Sequence, residues 1–267
     1  MNYDTVDDEP IYEDYKAASL NSVCRIGYVH TNHCEDSIYV EESSNDKIVC
    51  GVFDGCSSGE ESHLASGLLS RLFKKAVADV EFSEFAERIS STTTEFGYKV
   101  LRILFEDVKE VNRKLRLEYN ELLSTMLVGV YSKSKKNLFV GRVGDGLISV
   151  NKNIFEFYED HKSDYIGYHL NMETDEFYMK KVKKLEFDNV SSFSLSTDGI
   201  YSFRELIEDG EPKLFSNEII DYILHDQEYR YSKNWIMNKI ENLEKRYELI
   251  NIDDIGIVVY EKLKIKN

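Results

Sequence analysis

Proline is nearly absent from the 267 residues, Pro10 and Pro212 being the only two, and no block rich in glycine and serine interrupts the chain. Without a linker, one domain is the simplest organisation, over residues 22–267, with residues 1–21 as an acidic tail or an edge strand. No run approaches the roughly 20 apolar residues that a bilayer crossing needs. The start MNYDTVDDEP also lacks the basic region and apolar core of a secretory leader. A cytoplasmic protein without a membrane partner is therefore expected. Positive charge is scarce: 33 Lys and Arg stand against 49 Asp and Glu, a net −16. A polyphosphate chain would be repelled on average, which argues against nucleic acid as a partner. The four cysteines, Cys24, Cys34, Cys50 and Cys56, form no C-x-x-C pair and have no partnered histidine spacing, so they read as reduced thiols in or beside strands rather than zinc ligands.

What is abundant is apolar and aromatic material, 42% and 12% of the residues, enough to fill a sizeable core. Strands are read at VCRIGYV, SIYVEES and KIVCGVFDG, where Ile48 to Phe53 is apolar without alternation, as in a central strand covered on both faces. Ser58 and Glu61 fit a capping box ahead of a helix whose stripe is Leu64, Leu68, Leu69, Leu72, Phe73 and Val77. A second helical stripe runs from Phe82, Phe85 and Ile89 to Val100, Leu101, Leu104, Phe105, Val108, Val111 and Leu115, with a break near Ser90 to Thr94. STMLVGVYS, NLFVGRVGDG and GLISVNKN read as a meander of strands, and residues 151–190 have no regular pattern. VSSFSLSTDG is a further strand, 217–226 and 232–248 are amphipathic helices, and IGIVVYEKL is a last strand. This order suits sheets covered by helices rather than a βαβ wheel.

Acids recur at the strand ends. Asp54, Asp145 and Asp198 each end an apolar run and precede glycine, Glu35-Asp36 opens SIYV, and Asp253-Asp254 precedes IGIVV. One Asp-Gly is usually a turn, and Asp209-Gly210 after a helical stretch reads as no more than that. Acids gathered without cations would repel one another and take up protons, so a converging set is stabilised by a cation among them. All-oxygen ligation suits Mg²⁺ or Mn²⁺. A glycine after the Asp leaves room for a backbone carbonyl to approach a metal.

The ordered set CEDS (34–37), VFDG (52–55), STMLVGV (124–130), VGDG (143–146), STDG (196–199) and DDIGIVV (253–259) resembles the motif series of the metal-dependent type 2C protein Ser/Thr phosphatases, across roughly residues 22–262. The resemblance implies an α+β fold, a four-layer α/β/β/α sandwich of two antiparallel sheets flanked by helix pairs. It implies two Mn²⁺ or Mg²⁺ ions and a possible third. Asp54 then bridges both metals, Gly55 lends its carbonyl, Asp198 and Asp253 complete one metal, Glu35 or Asp36 serves the other, and Asp145 matches the third position. Asp54, Asp198 and Asp253 are the implied catalytic set. The implied activity is hydrolysis of phosphoserine or phosphothreonine in proteins by a hydroxide shared between the metals, with no phosphoenzyme and with a Ser/Thr kinase as the opposing partner in signalling.

This chain departs from the family at two points. Eukaryotic members carry a histidine where Cys56 stands, and the usual phosphate-binding arginine is replaced by Thr31. GYVHTNHCED resembles instead a bacterial branch with Gly-x-x-His, which makes His30 a candidate phosphate contact; a histidine on an exposed strand end is the other reading. Arg142 could substitute if it turned into the cleft. Asp160, His161 and Lys162 echo a family loop too weakly to join the site. In the last motif the pattern makes Asp253 the ligand and puts Asp254 where an Asn is usual, so Asp254→Asn should be mild. Two other functions stay open: a pseudophosphatase that binds phosphoproteins, and a phosphatase of small phosphorylated metabolites.

Overall fold

The computed structural model describes residues 18–43, 46–58, 62–158, 163–205 and 214–262. The Asp160–Lys162 echo, the Asp209-Gly210 pair and the Glu61 half of the expected capping box lie outside them. In chain order come β1 (Ala18–Arg25), β2 (Asp36–Glu42), β3 (Lys47–Asp54), α1 (Ser62–Glu87) and α2 (Thr93–Leu115). Then follow β4 (Met126–Ser132), β5 (Asn137–Val143), β6 (Gly146–Val150), β7 (Asn153–Phe157), α3 (Thr174–Lys180) and β8 (Lys183–Phe187). The chain continues with β9 (Ser192–Ser196), β10 (Phe203–Glu205), α4 (Ser216–His225), α5 (Trp235–Tyr247), β11 (Leu249–Asn251) and β12 (Ile255–Lys262). Among these helices none is long and apolar enough to cross a membrane.

Two five-stranded antiparallel sheets are built, in the orders β1-β12-β9-β6-β7 and β2-β3-β4-β5-β8, with β10 and β11 forming a small ribbon. Ile48, Cys50, Val52, Leu127, Leu138, Ile148, Leu195 and Val258 fill the space between the sheets. Leu69, Phe73 and Val77 of α1 and Val100, Leu104 and Phe105 of α2 cover the outer face of the β3 sheet. Ile220 and Ile223 of α4 and Trp235, Ile236 and Ile240 of α5 cover the β12 sheet. The layers are therefore α/β/β/α, as expected. β3 lies buried from Lys47 to Phe53, which is why its apolar run shows no alternation.

The helix break falls as read, and its cause is local. Thr92 accepts from the Glu95 N–H at 3.2 Å while Glu95 accepts from the Thr92 N–H at 2.9 Å, a capping box that starts α2. Three expectations are corrected. Phe82, Phe85 and Ile89 do not join the core: the first two project from the end of α1, Ile89 follows it, and they are 73%, 80% and 46% exposed; Leu64 and Leu115, at the outer ends of the two stripes, are exposed as well. The meander fails at its third strand, because β4 and β5 form a hairpin in one sheet while β6 crosses to the other. Gly144 at φ +85° makes that corner, a conformation L side chains rarely adopt. Finally, residues 151–190 contain β7, α3 and β8. Both strands are sheet edges with mostly exposed residues, so burial imposes little pattern on them. At the N-terminal side, β1 begins at Ala18 and is an edge strand beside β12.

Candidate metal centre

The corner at Gly144 matters because strand ends from both sheets meet there. Asp36 pairs with Asp54 across β2 and β3, Thr125 donates to the Asp54 carbonyl at 2.8 Å, and Met126 pairs with Val143. In the other sheet Leu147 and Ile257 both pair with Ser196, just before Asp198. These registers carry Asp36, Asp54, Asp145 and Asp198 to one end of the sandwich. Carboxylate oxygens of Asp54, Asp145 and Asp198 all lie within 4.8 Å of one another.

Each acid is fixed by its surroundings. Ser163 donates to Asp145. Asp36, 3% exposed, accepts from the Thr197 hydroxyl at 2.6 Å, and the same hydroxyl accepts the Gly256 N–H at 2.9 Å. Glu35 accepts from Ser57 at 2.7 Å and Ser62 at 2.5 Å. Asp253 accepts the Asp254 N–H at 2.8 Å and keeps 48% of its side chain exposed. The glycine after Asp54 has a packing role: a Cβ on Gly55 would stand 2.1 Å from the Ser62 carbonyl oxygen at the start of α1. Arg142 is turned to the Gly144 carbonyl and stacks on Phe157, 4.2 Å from the ring centroid, so it braces the corner. Cys56 lies 3.0 Å from the Ser58 hydroxyl and also meets the Tyr165 hydroxyl, which in turn bonds Ser163.

The electrostatics follow from this crowding. Burial, then the charges of Asp36, Asp198, Asp145 and Asp253, hold Asp54 well above the usual carboxylate range. Burial, Asp145 and Asp253 push Asp198 up to about 6. Burial also raises Asp36 and Asp253, with further contributions from neighbouring acids. Among the described residues no Lys or Arg forms an ion pair with these acids; the basic side chain at their margin is His30, 3.9 Å from Asp253. Burial alone would lower the His30 imidazole, but Asp254, 3.0 Å from Nδ1, and the charges of Glu35 and Asp253 raise it. Such a donor set, all oxygen and short of positive charge, fits a hard divalent cation, which would remove the repulsion that now favours protons.

The residues singled out from the sequence therefore occupy two tiers. Asp54, Asp145 and Asp198 converge, whereas Glu35, Asp36 and Asp253 stand around them with hydrogen-bond partners of their own, and His30 lies 3.0 Å from Asp254. Sequence reading missed Thr197 and Ser163, hydroxyls that orient Asp36 and Asp145, and it underrated Asp254. The Asp254 carboxylate accepts the Gly27 N–H at 2.6 Å and the Glu35 N–H, joining the loop after β1 to the loop before β12. Of the two hydroxyls, only that of Thr197 lies inside a recognisable motif.

A family profile described as protein phosphatase 2C matches residues 28–236, more than half of the chain. A search of proteins of curated function finds no match. Among solved structures, PppA of Pseudomonas aeruginosa is similar, with 13% identity, a TM-score of 0.58, and cover of 92% of this chain and 98% of that one. The serine/threonine phosphatase PstP/Ppp of Mycobacterium tuberculosis gives 14% identity, a TM-score of 0.56, and cover of 92% and 99%. A catalytic domain of PstP solved with two manganese ions gives the same values, 14% identity, 0.56, and 92% and 99% cover. At these identities the structures show a shared fold.

Proposed function

The chain belongs to the protein phosphatase 2C family, and on that premise we propose that it is a metal-dependent phosphatase acting on phosphoserine or phosphothreonine in proteins. The observation that carries this reading is the convergence of Asp54, Asp145 and Asp198 within 4.8 Å, with no Lys or Arg paired to them among the described residues. A decayed binding module has no reason to keep that repulsion, because losing any one acid would relieve it. Two Mn²⁺ or Mg²⁺ ions, with a possible third, would be held by these three acids together with Asp253, Glu35 or Asp36 and the Gly55 carbonyl. Bound divalent ions would supply charge neutralisation and an activated water for in-line displacement at phosphorus.

The residues of the chain do the rest. The bracing of Asp145 by Ser163 and of Asp36 by Thr197 holds the acids in place without reorganisation. His30, whose acidic neighbours favour its protonated form, is proposed to meet the phosphate at the rim. Cys56, occupied by Ser58 and Tyr165, is given no nucleophilic role. The cytoplasm and a Ser/Thr kinase that makes the substrate complete the proposal. Its test is hydrolysis of an aryl phosphate and of a phosphothreonine peptide after chelation, with and without added Mn²⁺. Metal-dependent turnover of the peptide supports it. Peptide binding without turnover would favour the pseudophosphatase, and turnover confined to small esters would favour a metabolite phosphatase.

A further inference from the structure

A pair of thiols lies beside the acidic centre and has no part in the proposed hydrolysis. Cys24 sits on β1, at the edge of one sheet, opposite Gly256 of β12. Cys34 ends the loop that carries the chain into β2 of the other sheet. Their Sγ atoms are 3.7 Å apart, Cys24 is exposed and Cys34 half-buried, and the Cys24 thiol also points at the Asp36 carbonyl, at 3.3 Å. A disulfide needs its sulfurs at about 2.05 Å. The pair is thus within a small side-chain adjustment of bonding, across the junction between the two sheets.

We propose that Cys24 and Cys34 are a reversible redox modification site, in which a peroxide joins them and clamps the loop of residues 25–33 against the acidic centre. The exposed Cys24 sulfur attacks a peroxide oxygen; the O–O bond breaks, Cys24 becomes a sulfenic acid and one water leaves. The Cys34 sulfur then attacks the Cys24 sulfur; the S–S bond forms, the S–O bond breaks, and the second water leaves with the Cys34 proton. Two thiols lose two electrons and two protons, and the peroxide is reduced to two waters. Thiols of a protein substrate or a small dithiol reverse the exchange.

The consequence lies one residue away. The Glu35 N–H donates to Asp254 and the Glu35 carbonyl accepts the Gly55 N–H at 3.0 Å, so the residue after Cys34 is tied to two proposed metal motifs. Drawing the Cys34 sulfur towards β1 pulls on that residue, and disturbance of groups that orient ligands typically costs 10–100-fold in metal affinity. This consequence rests on the metal reading, whereas the cross-link does not. The other cysteines differ: Cys50 is buried between the sheets, and Cys56 is engaged with Ser58 and Tyr165.

The experiment treats the full chain with hydrogen peroxide, maps peptides without reduction, and follows Mn²⁺ affinity by thermal shift. Expected are a Cys24–Cys34 linked peptide, loss of two thiols, reversal by dithiothreitol, and Mn²⁺ affinity about tenfold weaker in the oxidised form. Cys24→Ser and Cys34→Ser should each abolish the link and the affinity change, while Cys56→Ser keeps both. Over-oxidation without the link, a link that includes Cys50 or Cys56, or an unchanged Mn²⁺ affinity in the linked protein would overturn the proposal. If neither form binds Mn²⁺, the metal reading fails, and peptide mapping still decides the thiol pair.

Discussion

The two ends of the sandwich both gather charge that is partly or wholly withdrawn from water, and they treat it in opposite ways. At the β9–β12 motif end, Asp54, Asp145 and Asp198 face one another, and Asp54 and Asp198 are held above their ordinary values by burial and mutual repulsion. Beyond the other end of β12, Lys239 is fully buried yet donates to three carbonyls at the end of α4, those of Tyr222, Ile223 and Asp226, at 2.6, 3.2 and 2.7 Å. Arg230 beside it donates to the Leu224 and Asp226 carbonyls and pairs with Glu261 at 3.3 Å. These cations satisfy the exposed carbonyl end of a helix dipole. Nearby, Ser149, His225 and Asp221 stand at 2.7 and 2.8 Å in the order of a nucleophile, base and orienting acid. Ser149 is 2% exposed within the sheet, however, so the array is a strut between β6 and α4. A buried charge with complementary partners is part of the scaffold; half-buried like charges lacking them point to a ligand that supplies the opposite sign.

The largest expected effect tests the acidic end. Asp54→Asn or Asp198→Asn should lower Mn²⁺-dependent turnover by at least about a thousandfold, since removal of a charged ligand forfeits several kcal/mol of transition-state stabilisation. The same variants should melt higher than wild type in EDTA, because repulsion is relieved. A lower melting temperature in EDTA would mean that these carboxylates stabilise the metal-free fold, and the comparison would break. Lys239→Met should do the reverse, leaving three carbonyls unpaired at a cost of about 3 kcal/mol. Turnover per folded molecule should stay within about twofold, and denaturant titration beside a specific-activity assay would reveal a departure.

Much of this contrast was legible in the sequence, and the part that was not has a physical reason. Motifs at strand ends are readable because an apolar run that stops at Asp-Gly announces both a strand and an acid at its end, so Asp54, Asp145 and Asp198 were found together. Their convergence depends on register and on a corner at Gly144 that sends β6 into the second sheet, neither of which local pattern encodes. The exposure of Phe82 and Phe85 was illegible for a related reason: periodicity shows a shared helix face but not whether another layer reaches it. The scaffold cations were overlooked entirely, since a Lys that binds helix-end carbonyls looks in sequence like any lysine on a polar face.

Asp254 sharpens the comparison at its boundary, because it belongs to the acidic end by position and to the scaffold by bonding. Its two carboxylate oxygens accept the N–H groups of Gly27 and Glu35, and the residue is 3% exposed. An Asn in its place has one accepting oxygen and would turn an amide donor towards the other N–H. Asp254→Asn is thus expected to cost about 2 kcal/mol of stability, against the mild effect read from the motif alone. Its turnover at saturating Mn²⁺ should fall less than tenfold, whereas Asp253→Asn should lose far more activity than stability. Chemical denaturation and Mn²⁺ titration of both variants decide it; equal stability of Asp254→Asn and wild type would return the residue to the family pattern.

The smallest effect is a difference in pH slope, which no single proton can make steeper than about 1.4 kcal/mol per pH unit. Asp198 is raised by burial, Asp145 and Asp253 from 3.8 to about 6 in the metal-free fold. Between those values the folded state holds more protons than the unfolded one, so this group's contribution is fully present below 3.8 and is lost as pH rises through about 6. Lys239 is lowered by burial and Arg230 from 10.5 to about 7. Between 7 and 10.5 the unfolded state holds the extra proton, and stability gains as pH rises across that window. In EDTA, Asp198→Asn should therefore flatten the acid limb alone and Lys239→Met the alkaline limb alone. Saturating Mn²⁺ should also reverse the acid slope of the wild-type protein, since cation and proton compete for the same oxygens. Denaturant titrations at unit pH steps, taken as wild type minus variant, read each site's contribution, which for Asp198 includes the effect of its charge on Asp54 and Asp36. An acid limb unchanged by Asp198→Asn, or one that Mn²⁺ does not reverse, would show that the acids at that end are not held apart from their ordinary protonation and that nothing there requires a cation.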